Sequence, residues 1–99
     1  MKIIKFEKFS NAASKYKAKF SIEATIPYKT ETVNKDILIT INDLSFFDDG
    51  QKQWFKFPEK QKKGEDNKWI HLYNFVEIGD KDFRDAILKA IKEHYTINA

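Results

Sequence analysis

The sequence predicts an α+β domain in which a mainly antiparallel sheet of about five strands carries one C-terminal helix packed on it. Three observations lead there. Apolar and polar residues alternate over most of the chain before residue 77, which is the period of strands that bury one face and wet the other. Helical spacing of apolar residues is confined to the C-terminal segment, so strands and helices do not alternate as they would around a parallel sheet. The length of 99 residues supports one hydrophobic core and little more, which makes residues 1–99 a single domain.

Residues 3–9 form a short edge strand with Ile4 and Phe6 on one face and Lys5 and Glu7 on the other. Small residues at 10–14 turn the chain. The second strand is the clearest: Ala18, Phe20, Ile22, Ala24 and Ile26 share a face against Lys17, Lys19, Ser21, Glu23 and Thr25, so it is antiparallel and wet on one side. Pro27 ends or bends it. A third strand repeats the pattern in Val33, Ile37, Ile39 and Ile41, with Asp36, Leu38 and Thr40 opposite. Asn42 and Asp43 begin a break, and Asp48-Asp49-Gly50 is a turn signal. Between them Leu44, Phe46 and Phe47 make an apolar patch at the edge of the core.

The stretch WFKFPEKQKKGEDNKW, residues 54–69, is the one the rest is arranged to hold up. Phe55 and Phe57 point one way and Trp54 and Lys56 the other. Pro58 has no N–H for a ladder and ends that strand. The chain then runs through Lys60, Lys62 and Lys63 to Gly64, the expected turn residue, and Lys68-Trp69 begin the return strand. The expectation is an aromatic hairpin with a lysine-rich tip. In residues 69–76, Ile70, Leu72 and Val76 lie on one face and Trp69, His71, Tyr73 and Phe75 on the other. Two apolar faces predict cover on both sides, by the helix and by a second subunit, hence a homodimer. The helix follows: Asp80 or Asp82 caps it, and Phe83, Ala86, Ile87, Ala90, Ile91 and His94 recur at its spacing. Arg84, Asp85, Lys89, Lys92 and Glu93 stay on the wet side, and the helix ends near Thr96.

Composition removes several classes of function. There is no cysteine, so a disulfide framework, a thiolate metal site and a thiol nucleophile are excluded, in keeping with a reducing compartment. The N-terminal MKIIKFEKF lacks the apolar centre and cleavage site of a signal peptide, and no apolar run approaches a membrane span, so a cytoplasmic protein is expected. Gly50, Gly64 and Gly79 make no phosphate-cradling loop. His71 and His94 are the only imidazoles, and both read as packing residues. Asp43, Asp48 and Asp49 lack the alternating spacing of a calcium loop. A non-enzymatic protein with no catalytic residue, metal or other cofactor is the expectation.

Charge is where the sequence points outward. The formal net charge is +3, and between residues 51 and 68 six lysines face three acids. From residue 69 onward three lysines and Arg84 face five acids, so the positive excess lies in the first half and the hairpin. Ammonium groups beside flat rings suit a polyanion whose bases stack. Lys56, Lys60, Lys62, Lys63 and Arg84 are the candidate phosphate contacts, with Lys68 beside the aromatic strand and Lys81 added on charge grounds. Trp54 is the candidate stacking ring. Convergence of these cations with Arg84 on one surface is the geometry that this reading requires. The rival reading is an adaptor or inhibitor, with a phage as one source, that docks an acidic protein through the same hairpin with the tryptophans as anchors.

Four segments in order carry a family resemblance: KAKFSI at 17–22, VNKDILI at 33–39, FKFPEK at 55–60 with a glycine turn and aromatic strand after it, and RDAILKAIKEHY at 84–95. Together they resemble the stage V sporulation protein G family, the SpoVG-like small bacterial DNA-binding proteins, over roughly residues 17–95. The His-Pro pair usual before the helix of that family is absent; the chain there reads Tyr73-Asn74-Phe75-Val76. The resemblance implies a dimeric, non-enzymatic protein that binds DNA, with RNA as a further substrate, through basic residues near the final helix and the adjoining loop. The matching basic positions are Lys60 and Arg84.

Overall fold

Alternation of apolar and polar residues builds most of the molecule. The computed structural model describes residues 1–11 and 13–98. Its elements are β1 (Lys2–Lys8), β2 (Tyr16–Lys29), β3 (Asn34–Asp48), β4 (Gln53–Lys56), β5 (Glu59–Lys63), β6 (Trp69–Asn74) and α1 (Lys81–Ile97). The fold is α+β, with six strands in two antiparallel sheets. One has four strands in the order β1-β2-β3-β4, and β5 and β6 make a separate two-stranded ribbon.

The core lies between the four-stranded sheet and α1. Phe20 and Ile22 of β2, Leu44 and Phe46 of β3, and Ile87 and Ile91 of the helix are its largest fully buried side chains. Each is worth about 1.5–3 kcal/mol of apolar transfer. Asp80 caps the helix: its carboxylate accepts from the Phe83 N–H at 2.9 Å. Near the other end, the His94 ring meets Phe6 edge-on at 4.7 Å, tying the helix to β1.

Three irregularities set which side chains face the helix. At Lys5 the backbone enters the left-handed region (φ 50) and the β1–β2 register shifts, so Ile3 and Phe6 reach the core instead of Ile4 and Phe6. At Asp43 (φ 63) a shift of the β2–β3 register lets Ile41 and Leu44, three residues apart, both point inward. The break expected at Asn42 and Asp43 is therefore a bulge inside one long strand. A third shift, between Tyr16 and Ala18, buries Ala18 under the helix and turns Tyr16 to the other side.

The predicted aromatic hairpin is also arranged differently. Trp54 and Phe55 pair with Phe47 and Phe46 of β3, so β4 joins the main sheet. Beyond Pro58 the lysine run is itself a strand, held opposite Trp69, Ile70 and His71 of β6. The turn residue in the left-handed region is Asn67 (φ 62). Gly64 matters for space: a Cβ there would stand 3.0 Å from the Ile70 side chain. Strand β6 lies against neither the core nor the helix, and Trp69, Leu72 and Phe75 are exposed.

Candidate functional site

The helix-free side of the four-stranded sheet carries a rank of aromatic rings. Cross-strand pairing puts Tyr16 opposite Phe47 and Phe47 opposite Trp54. Tyr16 and Phe47 stack with centroids 5.1 Å apart and planes 23° apart; Phe47 and Trp54 do so at 5.4 Å and 5°. Phe9 closes the row edge-on to Tyr16 at 4.8 Å. The Tyr16 hydroxyl is fixed by the Ser45 hydroxyl, which donates to it at 3.1 Å.

Cations lie over these rings. The Lys52 and Lys15 ammoniums stand 5.3 Å and 6.0 Å from the Trp54 centroid, and Lys56 stands 5.4 Å from that of Phe47, all within cation–π reach. In the adjoining row Lys19 pairs across the ladder with Ser45, and Ser45 with Lys56. Lys19 is also ion-paired with Asp43 at 3.4 Å. At the neighbouring turn the Gly50 N–H, with help from Gln53, holds the Asp48 carboxyl below its ordinary value of 3.8. The Lys52 and Gln51 N–H groups do the same for Asp49.

The ribbon folds back toward this side. Between it and the sheet lies a cleft of about 580 Å³ whose sheet wall includes Tyr16, Phe47 and Lys56 and whose ribbon wall includes Gln61, Trp69 and Phe75. Glu59, also in the lining, is occupied by His71 Nδ1 at 2.6 Å and by the Gln61 amide, which donates to it.

The candidates drawn from the sequence do not converge. Trp54 and Lys56 are together on the helix-free side. Lys63 lies over the Trp69 ring at 5.9 Å, while Lys60 and Lys62 alternate to the opposite face of the ribbon. Lys68 stands at the ribbon's tip, where its carbonyl accepts from the Gly64 N–H. Arg84 sits across the sheet, with its guanidinium over Phe55 and Phe57 at 5.9 and 5.8 Å on the helix side. Lys81 is bound to Asp85 one helical turn on, at 2.6 Å. The Asp85 carboxylate raises the Lys81 pKa. Convergence with Arg84 on one surface is thus corrected: a sheet lies between Arg84 and Lys56.

Tyr16, Phe47, Lys15 and Lys52 were missed as site residues. Phe47 was legible in principle, because of two successive phenylalanines in a strand one must leave the core face. Tyr16 was not, since its direction depends on the register shift beside it.

Among the described residues no group of three or more His, Asp or Glu side chains is placed to hold a metal ion. No helix of the described residues is long and apolar enough to cross a membrane. Compared with protein-family models, curated proteins and solved structures, the chain matches none.

Proposed function

We propose that this chain is a small, non-enzymatic nucleic-acid-binding protein that receives its ligand on the helix-free side of the four-stranded sheet and works as a homodimer. One observation carries the reading: lysine ammoniums are laid over the rank formed by Phe47 and Trp54. That pairing supplies both things a nucleic acid offers contacts for, phosphate charge and flat bases. Lys15, Lys52 and Lys56 are the principal phosphate contacts, and Lys63 and Lys68 extend the positive field along the ribbon, while Lys60 and Lys62 face its other side. Arg84 and Lys81 lie outside this surface. The resemblance of four segments to the SpoVG-like family points the same way.

Binding of labelled DNA and RNA, followed by fluorescence anisotropy at several salt concentrations, tests the proposal. Replacing Lys52 and Lys56 with Ala weakens binding and flattens the dependence of log K on log salt by about 0.7 per lost contact to a single strand. Absence of binding to any nucleic acid near physiological salt removes the proposal.

The dimer rests on the ribbon. A two-stranded sheet is marginal in water without cover, yet Ile70, Leu72 and Tyr73 are all exposed on it. The accessible surface is 7388 Å², against about 5,900 Å² for a compact monomer of this mass. The surplus of about 1,500 Å² exceeds the roughly 800 Å² per partner of a standard interface. A second copy covers it in this reading. The same exposed ribbon also favours the alternative, an adaptor that docks a different protein; light scattering of the isolated chain at micromolar concentration separates the two, because an adaptor stays monomeric.

A further inference from the structure

We infer that the cleft between the ribbon and the sheet is a slot for an unpaired nucleobase, so that the protein takes single strands in preference to duplexes; this rests on the nucleic-acid reading above. The slot has aromatic side chains on both walls, Tyr16 and Phe47 on the sheet and Trp69 on the ribbon. Trp69 is 65% exposed, an unusual position for a tryptophan that is only structural.

Electrostatics separates base from backbone. The lining carries two acids, Asp43 and Glu59, and two ammoniums, Lys19 and Lys56, so its formal charges balance, with Asp43 ion-paired to Lys19. Lys56, over the Phe47 ring, stands in the sheet wall, and Lys15, Lys52 and Lys63, also held over rings, lie outside the lining. A nearly neutral, ring-walled space flanked by ammoniums suits an uncharged heterocycle inside and its phosphates outside.

Polar partners for a base edge are present as well. Ser45 and Gln61 line the cleft. The Ser45 oxygen, having donated its proton to Tyr16, keeps lone pairs to accept. The volume of about 580 Å³ lies in the range of small-molecule sites. Bases in a duplex are stacked on both faces and must be extruded to enter, whereas those of a single strand enter at little cost.

The test compares three ligands of equal length with the whole chain: oligo-dT, an abasic oligonucleotide with the same phosphates, and a duplex. The chain has two tryptophans, so Trp54→Phe leaves Trp69 as the only indole reporter. At about 200 mM salt, where phosphate contacts are weakened, oligo-dT binds at least about fivefold tighter than the abasic strand. It also quenches Trp69 and outcompetes the duplex. Trp69→Ala, at an exposed position that does not threaten the fold, abolishes the advantage of oligo-dT over the abasic strand.

Equal affinity for oligo-dT and the abasic strand with unchanged Trp69 emission overturns the slot but leaves the nucleic-acid reading standing. A base advantage that survives Trp69→Ala also overturns it. Binding of none of the three ligands overturns both. Quenching of Trp69 that depends on protein concentration, without oligonucleotide, assigns the cleft to a second copy of the chain and overturns the slot.

Discussion

The Phe47 and Trp54 rings stack 5.4 Å apart and 5° from parallel, joining β3 to the short edge strand β4 on the side the helix leaves open. Four residues of strand are little to hold an edge in register. The stack supplies side-chain contact where the ladder is short, and such pairs add about 0.5–1.5 kcal/mol beyond their buried area. Trp54→Ala therefore destabilises the protein by about 1–3 kcal/mol, read from the urea midpoint. Trp54→Phe, which keeps a ring, costs less than half of that.

The core behaves differently. Phe46 is fully buried against the helix residues and against Tyr95, 5.3 Å away. Phe46→Ala costs about 3–5 kcal/mol. A loss under 1 kcal/mol in equilibrium unfolding would show that the helix does not rest on this strand.

Acid weakens the turn after β3. Turn N–H groups hold the Asp48 and Asp49 carboxyls below 3.8 in the folded chain. A lowered folded pKa means that the stabilisation is fully present above the unfolded value and is lost as pH falls through the folded one. Stability is thus flat near neutrality and declines below about pH 4. Asp49→Asn keeps an accepting oxygen without the charge, and thermal melts of that variant decline less steeply over the same window.

Position should matter more than charge in the binding surface. Lys81→Ala removes a cation that is tied to Asp85 on the helix, and it leaves affinity for DNA and its salt dependence unchanged. Lys56→Ala lowers both. Equal losses from the two variants, measured by anisotropy, would contradict the location of the site.

Self-association should respond to the outer face of the ribbon. Ile70 pairs with Lys62 there and both Ile70 and Leu72 are exposed. Replacing Ile70 and Leu72 together with Lys shifts light scattering from dimer to monomer, while circular dichroism of the main sheet is retained.

The strands of the main sheet and the single helix could be read from periodicity because burial of one face imposes it. Residues 17–26 and 83–94 illustrate this, although Leu88 takes the inward place expected of Ala86, which is exposed. The lysine run after Pro58 was unreadable as a strand for the converse reason: neither face of Glu59–Lys63 is buried in the core, so no pattern marks it, and only pairing with β6 keeps it extended. At the site, Trp54 and Lys56 were legible from their alternation with Phe55 and Phe57. Tyr16 was hidden by a register shift, and Arg84 misled because a basic residue near a helix start gives no sign of which side of a sheet that helix covers.

Pro58 stands where the main sheet ends and the ribbon begins, and its carbonyl accepts from the Phe75 N–H at 2.8 Å, so both strands of the ribbon are fastened at the same end. The two attachments make a joint that ties the root of the ribbon to the end of β4. The cleft beneath it is lined from Phe57 and Pro58 at that joint out to Trp69, so the joint bounds one side of whatever enters.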